Sequence, residues 1–393
     1  MQTYSGPVFD ADNHYYEAMD AFTRYVPKKM HKRCVQICEI NGKVRHLVGG
    51  KVDYQIGNPS FNPISKPGVL HEYFHGNPEG LSMLEMIRSA LEPLPAAYQN
   101  RDARLKKLEE QELDAAWLFP TLGVLYEEPV SGDVDAVCTL FEGFNRWLDE
   151  DWGLNYENKL FSAPYISLAD VDWACRELEW ALKQGAHILT MRPAAVRTRK
   201  GKIPCTDPQF DPFWARVNEA GITVIAHVSN SGYTSNGYGT GSSLEVLGGG
   251  KPSVASMTTE RAINDWLLDM VYKKMFERFP NLRIGSVESG ASYLPSLLKN
   301  VEVSKMRSKN HYKEDPMEMF KEHVWINPFW EDDIAEVVGW MGADRVILGS
   351  DWPHMEGTSN PRDIIGECKG ISVADQEKIL FTNTQGLTEL RPL

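Results

Sequence analysis

The sequence predicts an α/β protein built as a (β/α)8 TIM barrel with a large insertion after its first strand. Three observations point there. From about residue 103 onward, short apolar runs alternate with amphipathic stretches of helical spacing. Eight such runs are present, and each ends in a polar or charged residue. No glycine-rich phosphate turn follows any of them, which removes the usual nucleotide-binding motive for an open sheet.

Strand one is Val8-Phe9-Asp10-Ala11-Asp12-Asn13-His14, and the next strand comes only after residues 15–102, far more than one helix. That insertion holds a hairpin from Cys34 to Gln55, turning at Asn41-Gly42, and a Pro-rich run from Asn58 to Pro67. It is expected to cap the rim or to serve dimerisation. Leu105 and Leu108 mark one face of a charged helix leading into strand two, Ala115-Ala116-Trp117-Leu118-Phe119-Pro120. Phe141, Phe144, Trp147 and Leu148 mark the next helix, and strand three runs from Leu160 to Ile166. Asp170 caps a helix to about Gln184 that Gly185 stops, ahead of strand four, Ile188-Leu189-Thr190-Met191-Arg192. Pro212 opens and Gly221 ends the helix before strand five, Ile222 to His227. Residues 229–258, rich in Gly, Ser and Asn, are expected to form a mobile active-site loop. A long helix over 260–279 and a turn at Pro280-Asn281 precede strand six, Leu282 to Val287. Strand seven is Val324-Trp325-Ile326-Asn327, and strand eight runs from Arg345 to Ser350.

A chain of 393 residues suffices for two average domains or one decorated barrel, and the reading is a single barrel domain over 1–393. The net charge of -13 is spread along the chain, which argues against a nucleic-acid or anionic-membrane partner and leaves a small-molecule substrate. The six cysteines are scattered without a C-x-x-C pair; Cys34 and Cys38 lack the matching pair a zinc knuckle needs, so free thiols are expected. Met1 to Pro7 has neither the basic nor the apolar segment of a signal peptide, and no apolar run approaches the roughly 20 residues of a membrane helix. The expected location is the cytoplasm.

The chemistry sits at the strand ends. Asp12 and His14 are two apart and so share one face of strand one. His227 ends strand five, Glu288 follows strand six and Asp351 follows strand eight, which in a closed barrel lies beside strand one. The set Asp12, His14, His227 and Asp351 suits one divalent ion, Zn²⁺, Mn²⁺ or Fe²⁺, with a position open to water or substrate. Arg192 is a candidate clamp for a substrate carboxylate or else a barrel ion pair, and Asn327 a candidate hydrogen-bonding contact to substrate. Trp325, Phe329, Trp330 and Trp352 suggest an aromatic pocket lining, and Glu17 a support for the strand-one ligands. His354 stands three residues beyond Asp351, within reach of the metal water or the substrate.

The segments Asp10-Ala11-Asp12-Asn13-His14 and Gly349-Ser350-Asp351-Trp352-Pro353-His354, with the His227 strand between them, carry a resemblance. The chain resembles the amidohydrolase-related branch (amidohydrolase 2) of the metal-dependent amidohydrolase superfamily, relatives of aminocarboxymuconate semialdehyde decarboxylase and resorcylate decarboxylase. The resemblance implies that Asp12, His14, His227 and Asp351 bind one divalent metal, Zn or Mn; Asp12 in place of the histidine of many relatives makes the site harder and favours Mn²⁺. At strand six the sequence departs from the pattern, with Glu288 where many relatives place a histidine acid or base. Glu288 is left as a proton carrier, a further ligand or a carboxylate orienting His227.

The leading expectation is a metal-dependent hydrolase of a small aromatic or carboxylic acid substrate. A metal-activated water would attack, with Asp351 taking its proton and Glu288 or His354 protonating the leaving group. The alternative is a nonoxidative carboxy-lyase in which Asp351 or Glu288 protonates the carbon that loses CO₂; the preference for hydrolysis rests on Glu288. A third reading is a catalytically silent barrel used for assembly. A homodimer through the insertion and the aromatic helix at 141–152 is also expected.

Overall fold

A computed structural model of the protein describes residues 4–54, 56–77, 80–234, 236–238 and 253–393. Much of the loop expected over 229–258 lies outside the described residues.

Seven parallel strands fall in two sheets. Strands β1 (Phe9–Tyr15), β7 (Ala115–Pro120) and β8 (Leu160–Ser162) form one, in the order β1-β7-β8. The other holds β9 (Ile188–Met191), β12 (Thr223–His227), β13 (Arg283–Val287) and β14 (Val324–Ile326), in the order β14-β13-β12-β9; β10 (Val196–Thr198) and β11 (Gly201–Ile203) are a separate antiparallel pair. All run parallel, as helical crossovers require. Strand three is shorter than expected: it stops at Ser162, and Pro164, which has no N–H to give a ladder, sits in the remainder. Its continuation still meets the second sheet, where Tyr165 bridges Thr190 and the Thr190 N–H donates to the Pro164 carbonyl at 3.0 Å.

The expected eighth strand is not a regular strand. Segment 346–352 instead makes single contacts to both sides: Val346 bridges Ile326, the Ala11 N–H donates to the Leu348 carbonyl at 3.0 Å, and Asn13 bridges Trp352. Asp351 adopts a left-handed backbone, φ +55°, which breaks the extended run.

Side chains from these strands divide by the period-two rule. Phe9, Ala11, Trp117, Phe119, Phe161, Ile188, Ile225, Val287 and Ile347 meet in one buried cluster. The alternate residues, among them Leu118, Leu189, Val224, Ile284 and Ile326, are buried with Leu140, Phe144, Leu178, Val217 and Leu267 of the helices. The expected helices form at Arg101–Glu110, Val134–Asp151, Val171–Lys183 and Asp211–Ala220. Asp170 accepts from the Trp173 N–H, and Gly221 takes φ +58° where the last of these helices ends. The helix expected over 260–279 is two pieces, Thr258–Tyr272 and Met275–Arg278, because Lys274 turns left-handed at φ +55°.

Between β1 and β7 lie β2 (Val35–Ile40), β3 (Lys43–Val48) and β4 (Lys51–Asp53), one antiparallel sheet, and the short pair β5 (Ile64–Ser65) and β6 (Leu91–Glu92). Asn41 and Gly42, at φ 52° and 72°, supply the two positive φ angles of the β2–β3 hairpin turn. A helix, Val69–Phe74, is tied to the segment after Asp351: the Leu70 N–H donates to the Met355 carbonyl at 2.6 Å. Trp352 is buried with Tyr16, Ile64 and Tyr98. The six cysteines are free, and no helix among the described residues is long and apolar enough to cross a membrane.

Candidate metal centre

Parallel strands place their C-terminal ends on one side, and the expected metal residues converge there. β1 carries one extra residue against β7 between Asp10 and Asn13, a bulge beside the site. Asp10 turns to Ser350, accepting its N–H at 2.9 Å and its hydroxyl at 2.6 Å. Asp12 faces the imidazoles. His14 Nε2 lies 3.3 Å from Asp12 Oδ1, 3.4 Å from Asp351 Oδ1 and 3.5 Å from Glu288 Oε2. His227 Nε2 lies 3.2 Å from the same Glu288 oxygen and 3.5 Å from Asp12 Oδ1. Glu288 reaches this position from a left-handed backbone, φ +54°, immediately after β13. Such conformations cost free energy and persist where the surroundings impose them.

The donor atoms fit a cation. Four ligands held at about 2.1 Å in a tetrahedron stand about 3.4 Å apart, and the contacts above span 3.2 to 3.5 Å. Both Asp12 oxygens, both His14 nitrogens, His227 Nε2 and Asp351 Oδ2 are buried with no hydrogen-bond partner. A cation shared by Asp12, His14 Nε2 and His227 Nε2 would satisfy those of these atoms that face one another. His227 Nδ1 lies 2.9 Å from the Val228 carbonyl, which orients the ring with Nε2 toward the cluster. One divalent metal ion can be held here.

The titration of these groups carries the same signature. Burial pulls the His14 imidazole down, but the hydrogen bonds and charges of Asp12 and Glu288 outweigh it and hold it up at about 10. Burial pushes the Asp12 carboxyl up, yet His14 and His227 leave it below its ordinary value. A cation held here would interact with the same carboxylates that favour the His14 proton.

Beside the donors is a second arrangement. His354 Nδ1 lies 2.6 Å from Asp351 Oδ1, and His354 Nε2 lies 2.9 Å from Thr121 Oγ1. The Thr121 hydroxyl donates its one proton to the Tyr15 carbonyl at 2.8 Å. Thr121 must therefore accept from His354 Nε2–H, a tautomer assigned from the network. The short Nδ1···Oδ1 contact then holds one further proton. Burial, and then the charge of Glu288, raises Asp351 well above the ordinary carboxylate range; burial and the charges of His14 and His227 push His354 down.

The family model described as amidohydrolase matches residues 100–386. A solved amidohydrolase structure from Mycobacterium avium subsp. paratuberculosis is 36% identical, covers 98% of this chain and 99% of its own, and has a TM-score of 0.89. The protein belongs to the amidohydrolase family. No curated protein matches this amidohydrolase. Its fold is also shared at lower identity. A dihydroxybenzoic acid decarboxylase from Polaromonas, solved with bound manganese and an inhibitor, is 15% identical with 98% and 97% of the two chains covered and a TM-score of 0.58. A 5-carboxyvanillate decarboxylase from Novosphingobium aromaticivorans, also with manganese, is 14% identical with 98% and 99% covered and a TM-score of 0.60.

Three expected substrate contacts of this amidohydrolase are engaged by protein instead. Arg192 pairs with Glu128 at 2.6 Å and Glu127 at 3.2 Å, the ion-pair alternative for that residue. Asn327 accepts the Glu288 N–H at 3.2 Å and so steadies that residue's position. Trp352 is 2% exposed, its ring against Tyr98 and Arg104. Trp325 lies under the Arg345 guanidinium, and Trp330 stacks on Phe74 of the helix Val69–Phe74. Glu17 accepts the Leu122 and Gly123 amides of the turn after β7, not a strand-one ligand. Sequence reasoning missed Thr121 and Glu356, which joins Glu288, Asp351 and His354 in one cluster. Burial, then the Glu288 charge, raises Glu356 to about 7. Its spacing of five from Asp351 on an irregular segment offers no periodic signal.

Proposed function

We propose that this amidohydrolase is a metal-dependent carboxy-lyase that removes CO₂ from a small aromatic or enoic acid without oxidation. The Asp351–His354 pair carries this reading, because its short contact can hold a proton beside the donor cluster and nonoxidative decarboxylation needs a proton delivered to carbon and no added water. Asp12, His14, His227 and Glu288, joined by Asp351 on the side of His14, would hold the ion. A divalent cation there supplies Lewis acidity toward substrate oxygens. Asp351 gives its proton to the carbon bearing the carboxylate, the pair of the breaking C–C bond stays with that carbon, and CO₂ leaves. His354, fixed by Thr121, orients the carboxyl, and a proton from solvent replaces the one spent on carbon. Glu288 in place of a histidine is the ground for preferring hydrolysis, but its contacts with His14 and His227 support a role among the metal donors, which leaves the proton to Asp351. The similar folds of the manganese-bound decarboxylases add support. The accompanying fold reading is a closed (β/α)8 barrel with segment 346–352 as eighth strand and the insertion 15–102 as cap, supported by the single bridges on either side of that segment.

One observation favours hydrolysis as a second reading: Asp12, Glu288 and Asp351 crowd the centre with acids, which disfavours an anionic substrate. The test is to incubate the Mn²⁺-loaded protein in D₂O with hydroxybenzoic acids, lactones and amides. CO₂ release with deuterium at the vacated carbon is the expected result. Turnover of lactones or amides with water addition and no CO₂ would establish hydrolysis instead.

A further inference from the structure

We propose that Arg104 is a positioning residue that sets the metal donors from behind. It lies on the helix Arg101–Glu110, outside the donor cluster, and is 1% exposed. Its Nε donates to the Ala97 carbonyl at 2.7 Å and its Nη1 to Asn13 Oδ1 at 2.5 Å. The guanidinium carbon stands 4.7 Å from the centre of the Trp352 ring and 5.5 Å from that of Trp152. Nη2 is buried without a hydrogen-bond partner, and the bonds from Nε and Nη1 go to a carbonyl and an amide oxygen, not to a carboxylate. Burial pushes the pKa down only to about 9, so the group stays charged at neutral pH. A buried cation lacking a paired anion is costly to keep, and stability alone does not account for it.

The residues it grips explain its place. Asn13 lies between Asp12 and His14 and points to the opposite side of β1, while Trp352 follows Asp351. Asn13 and Trp352 are themselves bridged, and the His14 N–H donates to the Trp352 carbonyl at 2.8 Å. Asn13 Nδ2 carries the contact on to Asp10 at 2.8 Å, and Asp10 holds Ser350, the residue before Asp351. One planar cation thus braces the flanks of Asp12, His14 and Asp351. Lysine cannot replace it: a compact ammonium lacks the flat face for Trp352 and the fork that reaches Ala97 and Asn13 together.

The inference rests on the metal centre and not on the carboxy-lyase reading, since ion affinity is measured without substrate. The experiment titrates Mn²⁺ alone into wild type, Arg104→Lys, Arg104→Met and Arg104→Ala, reading free Mn²⁺ by electron paramagnetic resonance and folding by circular dichroism. Folded variants should bind Mn²⁺ about 10- to 100-fold more weakly, the usual effect of losing a group that orients ligands. Millimolar guanidinium should restore much of the affinity of Arg104→Ala. If the Arg104 variants fail to fold, Asn13→Ser breaks the link from Arg104 through Asn13 to Asp10 and should weaken binding similarly. Affinity within twofold of wild type in any folded variant, or no recovery with guanidinium in a folded Arg104→Ala, overturns the proposal.

Discussion

The backbone N–H of Asp351 donates to the carbonyl of Asp12 at 2.8 Å. Two donors separated by most of the chain are therefore set by one main-chain bond. The approach is possible because Gly349 has no side chain: a Cβ there would overlap the Asp12 Cβ and lie 2.6 Å from its backbone nitrogen. Gly349→Ala should cost about 1–3 kcal/mol or more in stability, the range for overpacking, and weaken Mn²⁺ binding at least about tenfold. Urea unfolding and Mn²⁺ titration check it; a variant matching wild type in both would show that the strands can separate freely.

Metal binding should release protons. His14, held up at about 10, is protonated at pH 8 in the metal-free protein, and an imidazole ligand must be neutral. Binding of Mn²⁺ at pH 8 should expel about one proton, and the affinity should rise with pH. Calorimetry in buffers of different ionisation enthalpy measures the number directly. Equal heats in all buffers would rule out the exchange.

Glu288 and Asp351 should separate by phenotype. Glu288→Gln removes an anion that contacts both imidazoles, and should weaken Mn²⁺ about 10- to 100-fold. Asp351→Asn removes the proton carrier, and at saturating Mn²⁺ should lower kcat about 10²- to 10⁴-fold. His354→Gln should fall in the same direction and flatten the acid limb of the pH profile. If Asp351→Asn keeps full kcat once loaded, the proton comes from elsewhere.

Glu17 predicts a pH effect on stability. It is buried with two amide donors, yet burial outweighs them and pushes its pKa up to about 7. In an unfolded chain a glutamate titrates near about 4.3. Because the folded value is the higher, the stability Glu17 contributes is whole below about pH 4 and is lost as pH rises toward about 7. The loss is roughly 3 kcal/mol. Glu17→Gln does not titrate, so variant minus wild-type stability of the metal-free protein should climb by that order between about pH 5 and 8. A flat difference would falsify it.

Some of this was open to reading before any coordinates. Asp12 and His14 at i and i+2 of one strand share a face by backbone geometry alone, and His227 and Glu288 end their strands by apolar patterning. Asn41-Gly42 announced its hairpin because few residues accept two successive positive φ angles. Thr121, Glu356 and Arg104 were out of reach, since each acts through a partner distant in sequence: His354, Glu288 and Asn13. Local patterning specifies which residues end strands and which face they take, because those follow from dihedral periodicity. Which donors meet, which arginine is ion-paired and which carboxyl keeps its proton depend on distances and burial, and only the packed chain sets those.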